Sequence, residues 1–144
     1  MGSVQVVWKG EGQFLGRDAR GQTAAISTQE AAPGMKPTDL LLAALAGCTA
    51  VDVVSILAKM RQPLSALTIE VEGWQDPDPP WAFRRIHLRF SGRGLRLEPA
   101  AVRRAIELAE GKYCSVAATL RPTVELTTSF VIEGQGGQAE GGMV

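Results

Sequence analysis

The sequence predicts a single domain that mixes strands with helices. Three observations carry that reading: a trio of short strand patterns before residue 30, an apolar helical run after Pro37, and period-two alternation in the second half. A chain of 144 residues has the length of one domain. At that size it buries roughly 68–70% of its unfolded surface and needs no disulfide staple. The expected organisation is a folded domain over residues 1–134 and a flexible, Gly-rich tail over 135–144.

The opening third reads as a β-meander: Val4 to Trp8, Gln13 to Gly16 and Gln22 to Ile26, separated by Gly and Asp punctuation. Pro33 to Pro37 is loop, and Pro37 fits the first helical turn, where its missing N–H has no intrahelical partner. The helix that follows runs to about Met60. Because Leu40 to Gly47 is apolar without a break, this helix is expected to be surrounded by protein and to form the centre of the core. A membrane span is not expected, since Asp39 and Asp52 bracket the run. Leu67, Ile69 and Val71 then alternate with Thr68, Glu70 and Glu72 as in a half-buried strand. A stiff turn at Asp76 to Pro80 leads to a second strand whose buried face is Ile86, Leu88 and Phe90. Val102, Ala105, Ile106 and Ala109 mark an amphipathic helix with Gly111 at its C-cap. A short helical turn over Val116 to Leu120 and a last strand over Val124 to Phe130 complete the domain.

Fifteen Lys and Arg balance fifteen Asp and Glu, so no excess positive field exists to gather nucleic acid or an anionic membrane. The first residues lack the basic head and apolar core of a signal peptide, which leads us to expect a cytoplasmic protein. In a reducing compartment, Cys48 and Cys114 are either buried thiols or redox groups, and their spacing is not that of a metal finger. Cys48 begins a polar stripe of Asp52, Ser55 and Lys59 on one face of the long helix, consistent with a pocket, an interface or a salt-bridge network. The bland alternative treats Cys48 as a small hydrophobe. Cys114 follows a helix end beside Lys112, a setting that suits thiol exchange. His87, the single histidine, and the arginines 84, 85, 89, 93 and 96 read as a solvated strand face.

The run from Lys36 to Leu57, with Gly47-Cys48-Thr49-Ala50 inside it, and the downstream Lys112-Tyr113-Cys114-Ser115-Val116 resemble the OsmC/Ohr family of osmotically inducible protein C and organic hydroperoxide resistance protein. The likeness extends from Trp8 to about Val131 and is greatest toward an OsmC-like branch. It implies an α+β fold, with antiparallel sheets wrapped around long central helices in an intertwined homodimer. It also implies a cofactor-free, metal-free thiol peroxidase in which Cys48 attacks an organic hydroperoxide, Cys114 resolves it, and an external dithiol restores both. The family's activating arginine matches Arg17 best and Arg20 next, with Asp39 or Asp52 orienting the guanidinium. Its helix-opening glutamate is replaced here by Thr38, followed by Asp39. The competing reading is a non-enzymatic protein holding a small apolar ligand at the same interface; a Cys/His/Asp metal site is a third.

Overall fold

The computed structural model describes residues 2–134 and 137–139. It contains two compact units, Met1–Leu41 and Leu42–Val144, whose boundary passes through the first helix.

In the first unit, β1 (Val4–Gly10), β2 (Gln13–Asp18) and β3 (Thr23–Ser27) form an antiparallel sheet in that order. Val6 lies opposite Gly16, and Trp8 opposite Phe14. The β2–β3 turn is held by Asp18, which accepts the N–H groups of Arg20 and Gln22 at 2.8 Å each. The Gln22 N–H is the main reason its carboxyl lies below the usual range. Val4, Val6, Val7 and Trp8 of β1 are all exposed.

Gly34 carries φ +130, and a Cβ there would come within 2.9 Å of the Ile26 carbonyl carbon. Both the backbone angle and the contact oppose a side chain. Gly34→Ala should therefore destabilise by about 1–3 kcal/mol, read as a lower urea midpoint. An unchanged midpoint would show that the loop relaxes without cost.

In the second unit, the remainder of α1 (Pro37–Lys59) is followed by β4 (Ala66–Gln75), β5 (Phe83–Arg93), α2 (Pro99–Leu108), a π-turn (Ala109–Tyr113), α3 (Ser115–Leu120), β6 (Glu125–Ile132) and β7 (Gly137–Ala139). The sheet order is β4-β5-β6-β7. Ile86, Leu88 and Phe90 of β5 are buried as their alternation predicts, in one cluster with Leu126 and Phe130 of β6 and Val102, Ala105 and Ile106 of α2. On the opposite face, His87 is half-buried rather than solvated. Its Nδ1 meets Thr127 Oγ1 at 2.7 Å and its Nε2 meets Ser129 Oγ at 2.9 Å, which ties β5 to β6.

Four expectations need correction. The sheets are not wholly antiparallel: β5 and β6 run parallel, because α2, the π-turn and α3 return the chain to the same end of the sheet. Within this chain α1 is not enclosed. Leu45, Thr49, Val53 and Leu57, spaced by four, are buried, whereas Val51 is 71% and Val54 44% exposed. This helix is long and apolar enough to cross a membrane by length and composition, so the flanking aspartates do not by themselves decide the matter. Leu45, Val53 and Leu57 of its buried stripe belong to the same core cluster as the sheet. Gly111 is not a C-cap, since α2 continues into the π-turn that contains it. Finally, part of the expected flexible tail is a strand: Gly137–Ala139 pairs with β6, whose open edge supplies the hydrogen bonds that the Gly-rich sequence cannot make alone. The rest of the 135–144 tail lies outside the described residues.

Candidate active site

The π-turn is closed by the Cys114 N–H, which donates to the Ala109 carbonyl at 2.7 Å. Cys114 then leaves the helical region of backbone space, at φ −75 and ψ 110, and N-caps α3. Its sulfur accepts the Ala117 N–H at 3.3 Å. The thiol is thereby buried and fixed, with only 2% of the residue exposed.

Cys48 is half-buried on α1, one residue before the buried Thr49. The Thr49 hydroxyl donates back to the Leu45 and Ala46 carbonyls, so it is satisfied within its own helix. Burial pushes the Cys48 thiol up, but four kinds of hydrogen bond outweigh it. The Cys114 thiol, the Val116 N–H, and the Ser115 hydroxyl and N–H each favour its anion, and the thiol lies below its ordinary value. Cys114 moves the opposite way. Burial, its hydrogen bond to Cys48 and the negative charge that Cys48 acquires raise its thiol to about 11, with the Ala117 and Val116 N–H groups opposing in part. Both thiols are free. The two thiols are thus shifted in opposite directions, Cys48 toward its anion and Cys114 toward its protonated form.

The main depressors of the Cys48 thiol are thus groups on the Cys114–Val116 segment, and none of them is an arginine. Arg17 lies exposed on β2, opposite Gln5 and Thr23. Arg20 is exposed too, and its Nε is 3.3 Å from Asp18. Thr38 and Asp39 occupy the first turn of α1, where a carboxylate is favoured by the helix dipole. Asp52 is half-buried one turn beyond Cys48, while Ser55 and Lys59 of the expected polar stripe are exposed. Among the described residues no group of three His, Cys, Asp or Glu is placed to hold a metal ion.

Sequence reasoning missed Ser115 and Val116, which act largely through backbone N–H groups that leave no residue signature. It also missed Glu110, which is buried with only 1% of its surface exposed. A signal for Glu110 was present: it follows the buried Ile106 by one helical spacing and so falls on the apolar face.

The family model described as OsmC-like protein matches residues 28–129. Protein YhfA of Escherichia coli is 35% identical over 129 residues, covering 90% of this chain and 96% of that protein. A hypothetical protein from Aquifex aeolicus has the same fold, with a TM-score of 0.83 at 27% identity, over 92% of this chain and 96% of that one. The organic hydroperoxide resistance protein OhrB of Bacillus subtilis, at 14% identity, shares the fold with a TM-score of 0.63 over 91% of this chain and 98% of its own.

Proposed function

The chain belongs to the OsmC-like protein family, and we propose that it is a thiol-dependent peroxidase that reduces organic hydroperoxides through Cys48 and Cys114. The observation that supports this best is the opposed acidity of the two thiols, with Cys48 lowered and Cys114 raised to about 11. A nucleophile must be a thiolate, and a resolving thiol does best to keep its proton until a sulfenic acid stands beside it.

The Cys48 thiolate attacks the outer oxygen of the hydroperoxide. The O–O bond breaks, the alkoxide leaves and takes up a proton as the alcohol, and Cys48 becomes a sulfenic acid. Cys114 sulfur then attacks Cys48 sulfur, its proton leaves with the hydroxyl as water, and a disulfide forms. An external dithiol is oxidised as it returns both thiols. No bound cofactor enters any step. Arg17 is the candidate donor to the leaving oxygen, with Asp39 orienting its guanidinium. Arg20 is the weaker candidate because Asp18 engages it. Asp52 is the alternative orienting carboxylate, and Thr38 stands where the family places a glutamate. The exposed apolar residues Val51 and Val54 on α1 suit an organic substituent better than hydrogen peroxide.

The exposed Val51 and Val54 of α1 and, in the other unit, the exposed Val4, Val6 and Trp8 of β1 each support an intertwined homodimer, since a lone chain would leave these apolar side chains in water. Sedimentation equilibrium at micromolar concentration should give twice the 15.3 kDa chain mass; a folded monomer would remove the dimer. Two free thiols suit a reducing, cytoplasmic setting.

Stopped-flow consumption of cumene hydroperoxide with a dithiol tests the reading. The protein should react faster than free cysteine at matched pH, and faster with cumene hydroperoxide than with hydrogen peroxide. A rate no better than free cysteine would overturn the enzyme and leave a protein that binds a small apolar ligand at the same place.

A further inference from the structure

The mechanism leaves one buried ionisable group unused. Glu110, inside the π-turn and four residues before Cys114, has both carboxylate oxygens buried without a hydrogen-bond partner. Arg121, the C-cap residue of α3, has its Nε buried and equally unpartnered. Its Nη2 reaches back and donates to the Glu110 backbone carbonyl. The segment whose thiol, hydroxyl and N–H groups surround Cys48 is therefore bracketed by a carboxyl before it and a guanidinium after it. The guanidinium is bonded to the backbone of the acid and not to its side chain.

We propose that Glu110 and Arg121 are a proton-sensitive brace, a pair of positioning residues that sets how the Cys114–Val116 segment presents its hydrogen bonds to Cys48. With Glu110 neutral, Arg121 is free to hold the π-turn carbonyl as observed. With Glu110 ionised, the guanidinium has a stronger acceptor in the carboxylate of the same residue whose carbonyl it holds. It leaves the carbonyl for the carboxylate, and the turn slackens. Burial raises the Glu110 carboxyl to about 8, opposed by the charge of Arg121, so the change falls in an accessible range. The other charged and titratable groups on the elements packed against the π-turn are Arg103, Arg104 and Glu107 of α2 and Lys112 and Tyr113 of the turn itself. Arg103 lies over the Phe130 ring, Arg104 and Glu107 are exposed at 4.0 Å from each other, and Lys112 and Tyr113 are exposed. Arg121 is the charge that acts on Glu110.

This inference rests on the proposed role of Cys48, but its test uses no peroxide. The rate of Cys48 alkylation by iodoacetamide, followed by mass spectrometry between about pH 5 and pH 10, should rise as the thiolate forms and then fall about threefold across a second inflection near 8. Glu110→Gln, an uncharged isostere, should keep the high rate with no second inflection. Arg121→Lys keeps the charge but loses the planar fork, and should lower the rate at every pH. A second readout is the stability of the resting protein. The folded carboxyl keeps its proton up to about 8 while the unfolded one loses it near 4.5, so unfolding releases a proton between those values. Stability should fall as pH rises through that window and level off above it, and Glu110→Gln should flatten the fall. Superimposable alkylation profiles for the wild type and Glu110→Gln, or an unchanged rate in Arg121→Lys, would overturn the brace. If turnover of peroxide fails while the Glu110-dependent inflection holds, the brace stands and the peroxidase reading alone falls.

Discussion

Cys48→Ser should lower peroxide turnover by roughly 10³-fold or more, equivalent to about 4 kcal/mol of transition-state stabilisation. Serine keeps the size of the side chain and its place beside the Cys114–Val116 donors, so the fold has no reason to change. What goes is the anion. Hydrogen bonds from the Cys114 thiol, the Val116 N–H and the Ser115 hydroxyl and N–H outweigh burial and bring the thiol below its ordinary value. The same donors acting on an aliphatic hydroxyl leave it protonated at every physiological pH. A soft sulfur nucleophile is also lost, and with it the sulfenic acid on which the second step depends. The measurement is kcat/KM for cumene hydroperoxide, alongside a circular dichroism spectrum that matches the wild type. If Cys48→Ser retains turnover while Cys114→Ser loses it, the two roles are reversed.

The dependence on pH has a sign that follows from the same donors. Since the Cys48 thiol is lowered, the rising limb of the first chemical step should lie at lower pH than that of a free cysteine, ahead of the Glu110-dependent fall near 8. A rising limb at or above the free-cysteine range would mean that burial wins over the hydrogen bonds.

Much of this arrangement is legible in the sequence, for particular reasons. Pro37 marks the start of α1 because a helix tolerates proline only where no intrahelical N–H is needed. The alternation through Ile86, Leu88 and Phe90 gives the buried face of β5, since a strand turns every second side chain the same way. Alternation says which face is buried but not which strand lies alongside, and so the parallel pairing of Arg85 with Glu125 and Phe90 with Phe130 was hidden. Gly111 reads as a helix stop on composition, yet the Cys114 N–H reaches the Ala109 carbonyl and carries the helix on as a π-turn. That extra residue determines where Cys114 points. The pairing of the cysteines followed from the family resemblance, whereas the donors that make them unequal did not, because they are mostly peptide N–H groups. The apolar run of α1 was read as a buried core, but apolar character does not say whether a residue is covered by its own chain or by another. Val51, at 71% exposed, belongs to the second case if the homodimer forms.

Cys114→Ser should leave the first reduction close to wild-type speed and stop the enzyme after one equivalent of hydroperoxide. Serine is a better N-cap than cysteine, so its hydroxyl can accept the Ala117 N–H in place of the thiol and hold α3 in position. It can also donate to Cys48 as the thiol does, while the Ser115 and Val116 donors are untouched. The thiolate of Cys48 is accordingly preserved, and the first step needs nothing more from position 114. The second step does, because condensation with the sulfenic acid requires a sulfur nucleophile, and a hydroxyl cannot supply one. In the proposed cycle the neighbouring Cys114 of the wild type meets that need. Its proton, retained up to about 11 while Cys48 is anionic, becomes easier to release once Cys48 is a neutral sulfenic acid, since the charge that raised it has gone. Rapid-quench kinetics should show a burst near one alcohol per site followed by loss of steady-state turnover of roughly 10²-fold or more, unless the added dithiol attacks the sulfenic acid directly. Mass spectrometry should find Cys48 one or two oxygens heavier in the variant and a Cys48–Cys114 disulfide in the wild type. Sustained turnover in Cys114→Ser at low dithiol, with no oxygen accumulating on Cys48, would remove Cys114 from the reaction and leave it as the cap of α3 alone.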